Sequence, residues 1–240
     1  MSAPPTTSPA PPEFDQFAGD YDAALNQGLK FSGETKEYFA ENRVKWFRQR
    51  LGSALKPGSR CLDYGCGTGT ATPYLMETLA LKSLVGVDLS EESLAMAQKD
   101  HGSSQVTFQP LKALNDLPNE FDVGYCNGVF HHIPPDQRAG CAAAIFKSMK
   151  PGGVFALWEN NAWNPIVRFM MSKVPFDADA IVLFPFEARK LMRAAGFEIL
   201  GTDSLFVFPS ALAALRGLEP ALCKLPIGGQ YQVLCRKPVN

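Results

Sequence analysis

The stretch Cys61-Leu62-Asp63-Tyr64-Gly65-Cys66-Gly67-Thr68-Gly69-Thr70 joins a short apolar run to a helix start through a turn rich in glycine. Without a Cβ, glycine takes φ > 0 and lets backbone amides approach a ligand. Gly65, Gly67 and Gly69 alternate as GxGxG, whereas the dinucleotide fingerprint sets its last glycine one residue later, over a pyrophosphate. Position 70 is threonine. Asp63 stands at the mouth of the turn, where a carboxylate repels a diphosphate and suits a cationic ligand. The turn therefore reads as a nucleoside-cofactor loop that disfavours phosphate.

Working outward, the chain alternates strand-like and helix-like segments. An amphipathic helix is expected over 34–51, carrying Phe39, Trp46, Phe47 and Leu51 and stopped by Gly52. Strand one ends at Asp63, and the helix after the turn is expected over 70–81 with Pro73 in its first turn. Strands follow at 84–88, 105–109, 122–126 and 154–158. Ser90 is placed to cap the helix after strand two, with Glu91 and Glu92 at its positive end. Asp136 is placed to cap a helix that Pro151-Gly152-Gly153 would end. Short apolar strands separated by helices predict a doubly wound α/β fold, a largely parallel sheet with helices on both faces.

The turn and its flanks resemble the first motif of class I S-adenosylmethionine-dependent methyltransferases, an apolar strand ending in an acidic residue and then GxGxG. The resemblance runs from about residue 21 to residue 236. It implies a Rossmann-like seven-stranded sheet, mostly parallel with an antiparallel C-terminal strand. S-adenosyl-L-methionine is the implied cofactor, with Asp63, Gly65, Cys66, Gly67 and Gly69 around its methionine end. Asp88 lies about 20 residues beyond the turn, the separation at which a carboxylate meets a ribose hydroxyl pair, and the resemblance gives it that role, with Leu89 against adenine. Where many members carry an aspartate for the adenine edge, this chain has Ala113, leaving backbone groups or Asp116 for that task. The segment 121–134 resembles the strand-four motif and sets Asn127 and Gly128 beside the methionine part. Tyr21 matches a position where a tyrosine closes over the cofactor; it can equally pack the lid onto the domain.

Methyl transfer from a sulfonium needs positioning first and a base only for some acceptors. His131 and His132 are the candidate bases, His132 slightly ahead, the alternative being a ring packed under the loop. His101 reads as a surface residue in a polar loop. Trp158-Glu159-Asn160-Asn161-Ala162-Trp163 follows strand five, so Glu159, Asn160 and Trp163 are candidate acceptor contacts; asparagines in such a loop also cap the next helix. The apolar segment 166–186 reads either as a lid over an apolar or lipid-like acceptor or as ordinary core.

The chain has 240 residues, 46% of them hydrophobic, and a net charge of -1, which suits one domain with a sizeable core. Residues 1–12, rich in Pro, Ser, Thr and Ala, read as a disordered leader. Residues 13–240 read as a single domain, with a helical lid at 13–55 and a substrate-side insert at 159–195. Balanced charge without a basic run disfavours nucleic acid. Six cysteines without CxxC spacing read as reduced thiols rather than metal ligands, in a reducing, cytoplasmic setting. No apolar run approaches the roughly 20 residues that span a bilayer. The expected partner is a small-molecule acceptor of unknown identity. Two other readings stay open: a non-catalytic S-adenosylmethionine-binding module, and a nicotinamide oxidoreductase, which the glycine spacing and Asp63 disfavour.

Overall fold

The computed structural model describes residues 32–172 and 180–239. Tyr21 and the leader at 1–12 lie outside the described residues, as does the 13–31 part of the expected lid. Helix α1 (Lys36–Leu51) opens where Thr35 accepts the Tyr38 N–H at 3.3 Å and ends at Gly52, whose φ of 51° breaks the α-helix into a short 3-10 turn (Gly52–Ala54). Its buried face holds Ala40, Val44, Phe47 and Leu51, spaced by three and four residues. The same face carries one cation, Arg43.

Strands β1 (Arg60–Tyr64), β2 (Ser83–Asp88), β3 (Val106–Pro110), β4 (Phe121–Asn127), β5 (Met149–Asn160), β6 (Glu198–Leu205) and β7 (Gln230–Arg236) form one sheet in the order β3-β2-β1-β4-β5-β7-β6. The β1–β2, β2–β3, β1–β4 and β4–β5 pairs are parallel, and β7 runs antiparallel to both β5 and β6. The seven-stranded, mostly parallel sheet with an antiparallel last strand is therefore the observed architecture. Each face carries its own core. On one, Val44 and Phe47 from α1, Leu75 from α2 (Thr72–Thr78) and Leu79 just beyond it cover Cys61, Tyr125 and Trp158. On the other, Ala142, Ile145, Ala188 and Met192 cover Leu62, Cys126 and Phe155. Those four come from α4 (Arg138–Ser148) and α6 (Pro185–Ala194). Strands buried on both faces read as continuous apolar runs, which is why β1, β2 and β4 were legible.

Three local expectations differ from the structure. Helix α2 is shorter than 70–81, because Ala80 takes a left-handed φ of 48° and breaks the ladder. Asp136 does not cap α4: Gln137 stands at the N-cap without a side-chain bond, and the chain first turns through Gln137 N–H to Pro134 C=O at 2.9 Å. Pro151-Gly152-Gly153 does not end that helix. Met149 is already extended (φ -72°, ψ 142°), and the glycines lie inside β5, where Gly152 at φ 80° donates to Lys237 C=O at 2.8 Å. They mark the strand's irregular start rather than a helix stop. Between β5 and β6 stand α5 (Pro165–Met171) and α6, and between β6 and β7 a 3-10 segment (Ser210–Leu218) leads into α7 (Glu219–Leu222). Glu219 accepts the N–H groups of Phe206, Val207 and Phe208 at 3.0–3.2 Å, holding the chain where it leaves β6.

Candidate functional site

Strand order reverses at β1, with β2 on one side and β4 on the other. Ligands of open α/β sheets bind at that crevice beyond the carboxyl ends of the strands. The glycine turn occupies it. Gly65, Gly67 and Gly69 have φ of 71°, 52° and 80°. The Gly65 and Cys66 amides both donate to Val87 C=O, at 2.8 and 3.1 Å, tying the turn to β2. The three glycines have different reasons to be there. A Cβ on Gly65 would lie 2.3 Å from Val129 Cγ2, and one on Gly69 2.8 Å from His101 Cδ2. Among the described residues, a Cβ on Gly67 would meet nothing within 4 Å. Gly65 and Gly69 are thus packing glycines, and Gly67 presents its backbone to open space. Cys66 contributes its amide; its thiol faces the sheet beside Gly86, and burial pushes its pKa well up.

Asp88 ends β2 with its carboxylate against the turn. Oδ2 accepts the Gly67 N–H at 2.8 Å and Oδ1 the Ser90 N–H at 3.0 Å. Each carboxylate oxygen accepts more than one hydrogen bond, so a ribose diol can share them. Ser90 caps α3 (Glu91–His101) through the Ser93 N–H at 3.1 Å, as its sequence suggests. Leu89 stands 63% exposed beside Asp88. Ala113 lies half-buried in a 3-10 turn (Leu111–Asp116), and Asp116 is exposed. His101 is not in a polar loop: it is the last residue of α3, half-buried with its ring edge toward Gly69.

Asp63 is 2% exposed, and its Oδ2 has no hydrogen-bond partner. Burial, then the neighbouring Asp88, push its pKa up to about 7, against the pull of Arg43. Asn127, at the end of β4, likewise has a buried Oδ1 without a partner. An unpaired buried acceptor is costly, and two of them beside an open glycine turn suit a ligand that brings N–H donors and positive charge. The methionine end of S-adenosylmethionine has that chemistry, so the residues fit the cofactor the sequence implies. Arg43 reaches the same face, donating from Nε to Tyr125 Oη at 3.0 Å and from Nη1 to Gln230 Oε1 at 2.9 Å. Gln230 in turn donates to Asn160 Oδ1 at 3.1 Å. Arg43, Tyr125 and Gln230 were not among the candidates read from sequence. The one available signal was a cation on the apolar face of α1.

On the opposite face, the strand-four turn is held by Glu159. Its Oε1 accepts the Val129 and Phe130 N–H groups at 3.2 and 2.8 Å, and Oε2 lies 2.5 Å from His131 Nδ1. Both side chains are buried. At 1% exposure, Glu159 has no surface to offer an acceptor; the structure gives it the turn and the imidazole instead. Gly128, at φ 67°, donates to Trp158 C=O at 2.9 Å and lets the chain turn toward the histidines. The His132 ring, half-buried, lies 4.0 Å from that of His131, centroid to centroid. Asn161 is buried and donates to Pro226 and Gly228 carbonyls, while Asn164 caps α5 through the Ile166 N–H at 3.0 Å. These two amides are structural. Trp163 is exposed and clusters with Phe184 and Phe186, ring centroids 6.0 and 6.5 Å away.

Comparison with known proteins agrees with this geometry. Residues 61–153 match the family model of a methyltransferase domain. The chain is 37% identical over 103 residues to the cyclopropane-fatty-acyl-phospholipid synthase of Escherichia coli, covering 43% of this chain and 26% of that one. It is 28% identical over 187 residues to the ubiquinone biosynthesis O-methyltransferase of Methylococcus capsulatus, covering 72% and 77%. The matched stretch spans only 25% to 57% of the length of the first curated relatives. Among solved structures, phosphoethanolamine N-methyltransferase 2 of Haemonchus contortus, in complex with S-adenosyl-L-methionine, superposes with a TM-score of 0.67 at 17% identity. That likeness covers 98% of this chain and 61% of the other, and shows the shared fold. Turn, sheet order and family match converge: residues 61–153 match a methyltransferase domain, and the sheet that holds them has the architecture implied by the resemblance to class I S-adenosylmethionine-dependent methyltransferases.

Proposed function

We propose that this protein moves a methyl group from S-adenosylmethionine to an oxygen, nitrogen or carbon atom of a small-molecule acceptor. The observation that carries the reading is the pairing of the open Gly67 backbone with Asp88 at the switch point of the sheet. The relatives named as a ubiquinone O-methyltransferase and a cyclopropane-fatty-acyl-phospholipid synthase support small or lipid-like acceptors. When bound, the cofactor supplies an electrophilic methyl on a sulfonium with a neutral leaving group, so orientation and exclusion of water supply much of the acceleration.

The residues then divide the work. Asp88 takes the ribose hydroxyls, Leu89 the adenine face, and Gly65 to Gly69 the backbone contacts. Asp63 and Asn127 accept hydrogen bonds from the amino-acid end. Where the acceptor atom bears a proton, His131 takes it at Nε2. Glu159 on Nδ1 fixes that nitrogen as the donor and leaves Nε2 as the acceptor. His132 beside it is the second candidate. Asn160 and Trp163, with the insert at 159–195, form the acceptor side. Release of S-adenosylhomocysteine across a panel of phenols, amines and unsaturated lipids tests the proposal. Turnover with one class supports it, whereas cofactor binding without turnover on any class favours a non-catalytic binding module.

The raised pKa of Asp63 gives a pH signature. An acid whose folded pKa exceeds its unfolded value stabilises the fold fully below the unfolded pKa and loses that contribution as pH rises through the folded one. For Asp63 this window runs from its ordinary 3.8 to about 7. A cationic ligand favours the ionised form, so its binding releases a proton and strengthens as pH rises through the same window. S-adenosylhomocysteine, which keeps the ammonium, is expected to bind more tightly at pH 8 than at pH 5.5. Asp63→Asn removes that dependence, and its melting advantage over wild type grows with pH. Parallel pH profiles for the two proteins would remove Asp63 from the site.

A further inference from the structure

The acceptor side of the domain carries an exposed apolar surface that extends beyond any contact with the cofactor. Trp163, Ile166, Phe169, Ile181 and Phe186 keep between 48% and 65% of their surface in solvent. They come from the β5–α5 turn, α5, the segment before α6 and the first turn of α6. Three rings of this surface pack together: Phe184 bridges Trp163 and Phe186, with ring centroids 6.0 and 5.7 Å away. Soluble monomers seldom expose contiguous apolar patches beyond a few hundred Å², and larger ones mark contact surfaces.

Charge decides among the occupants. The chain as a whole is near neutral, at -1. Yet residues 161–196 carry five cations, Arg168, Lys173, Arg189, Lys190 and Arg193, against three carboxylates, Asp177, Asp179 and Glu187. Glu187 is engaged in capping α6, accepting the Phe184 N–H at 2.8 Å. Arg168 sits exposed between Ile166 and Phe169. On α6, Phe186, Lys190 and Arg193 follow at i, i+4 and i+7, so they share one exposed helix face. Aromatic and aliphatic side chains ringed by cations are the makeup of surfaces that settle into the headgroup region of an anionic bilayer, with tryptophan at the water boundary. Among the described residues no helix is long and apolar enough to cross a membrane, so contact would be with the surface alone. A second copy of this chain would bring the same cations to the interface, and like charges would oppose its docking.

The patch is also tied to the site. Ile181 N–H donates to His131 C=O at 2.9 Å, and Arg138 donates to both Ile133 C=O and Ile181 C=O, at 2.9 and 2.6 Å. Tyr231 Oη donates to Leu183 C=O at 2.6 Å, fastening the same segment to β7. The surface beside Trp163 is thus braced directly on the histidine turn.

We propose that this cation-flanked aromatic patch docks the protein on an anionic lipid surface and so sets the acceptor side of the domain against the bilayer. The proposal goes beyond the methyl-transfer reading and rests on it only for the acceptor's class, a membrane-resident amphiphile. The test uses the fluorescence of the whole protein. Of its three tryptophans, Trp46 and Trp158 are buried and only Trp163 is exposed, so a change of environment at the patch is read through one residue.

Vesicles of phosphatidylglycerol mixed with phosphatidylcholine are expected to shift the emission to shorter wavelength and to carry the protein upward in flotation. Pure phosphatidylcholine binds at least about tenfold more weakly, and added salt weakens the anionic case. Trp163→Ala with Phe186→Ala lowers partitioning by about tenfold or more. Arg168→Glu with Lys190→Glu removes the preference for anionic lipid. Titration with S-adenosylhomocysteine, expected unchanged in both double variants, shows that they are folded and keeps the two proposals separate. The docking proposal is overturned if folded wild-type protein ignores anionic vesicles, if charge reversal leaves the lipid preference intact, or if sedimentation shows a dimer that shields Trp163. Loss of S-adenosylhomocysteine binding in the wild type would instead count against the methyl-transfer reading.

Discussion

Asp88→Ala is expected to lower affinity for S-adenosylhomocysteine by about 100-fold or more while the protein stays folded. Hydrogen bonds to a charged group are each worth about 1.5–3 kcal/mol, and about 1.4 kcal/mol is a factor of ten in affinity. The substitution removes two such acceptors from a ribose diol. It also takes away the partner of the Gly67 N–H, now held at 2.8 Å, so the turn keeps only its Val87 carbonyl anchor on β2. Asp88→Asn keeps an oxygen for one donor and should fall between the two. Calorimetric titration gives the affinities, and circular dichroism shows whether the fold persists. An affinity within about threefold of wild type would mean that Asp88 only holds the backbone amides of Gly67 and Ser90.

Glu159 is expected to be the costliest polar residue to lose. Glu159→Ala leaves the Val129 and Phe130 amides and His131 Nδ1 without their acceptor in a buried place. Breaking a buried, hydrogen-bonded pair from one side typically costs about 3–5 kcal/mol, to be read from chemical denaturation. Glu159→Gln separates stability from chemistry. Its carbonyl oxygen can keep the two backbone amides, but its amide N–H₂ then faces Nδ1 and forces the imidazole to carry its proton on Nε2. His131 is left in the wrong tautomer to accept a proton. With a proton-bearing acceptor, turnover should fall by about 10²-fold or more, the usual scale of general-base catalysis. S-adenosylhomocysteine binding should hold. Nitrogen chemical shifts of His131 report the tautomer independently of activity. Full turnover in Glu159→Gln with the tautomer exchanged would remove His131 as the base and leave His132.

These two residues mark where the sequence is transparent and where it is not. The place of Asp88 against the glycine turn was readable because it depends on local facts: an apolar strand, a carboxylate at its end and a fixed separation from the turn. Glu159 was read as an acceptor contact because it follows a strand at the ligand edge. Strand alternation decides otherwise. Trp158 and Asn160 point to the α1 face and Glu159 to the opposite one, beneath the His131 turn. A one-residue change of face is all that separates a pocket wall from a buried anchor.

Arg43 and Gln230 were missed for a different reason. They are 187 residues apart and become neighbours only when α1 packs over β7. Pro151-Gly152-Gly153 misled because glycine and proline punctuate strands as well as helices, and the β4–β5 register shift near Phe121 that they accompany is a tertiary feature. The asparagines after β5 followed the local rule for helix caps and loop turns, as Asn164 shows on α5.

The most direct test of the whole account is titration of the wild-type protein with S-adenosylhomocysteine and, separately, with NADH. The account predicts saturable one-site binding of S-adenosylhomocysteine, strengthening with pH, and no measurable heat with NADH. Tight NADH binding with no affinity for S-adenosylhomocysteine would contradict it.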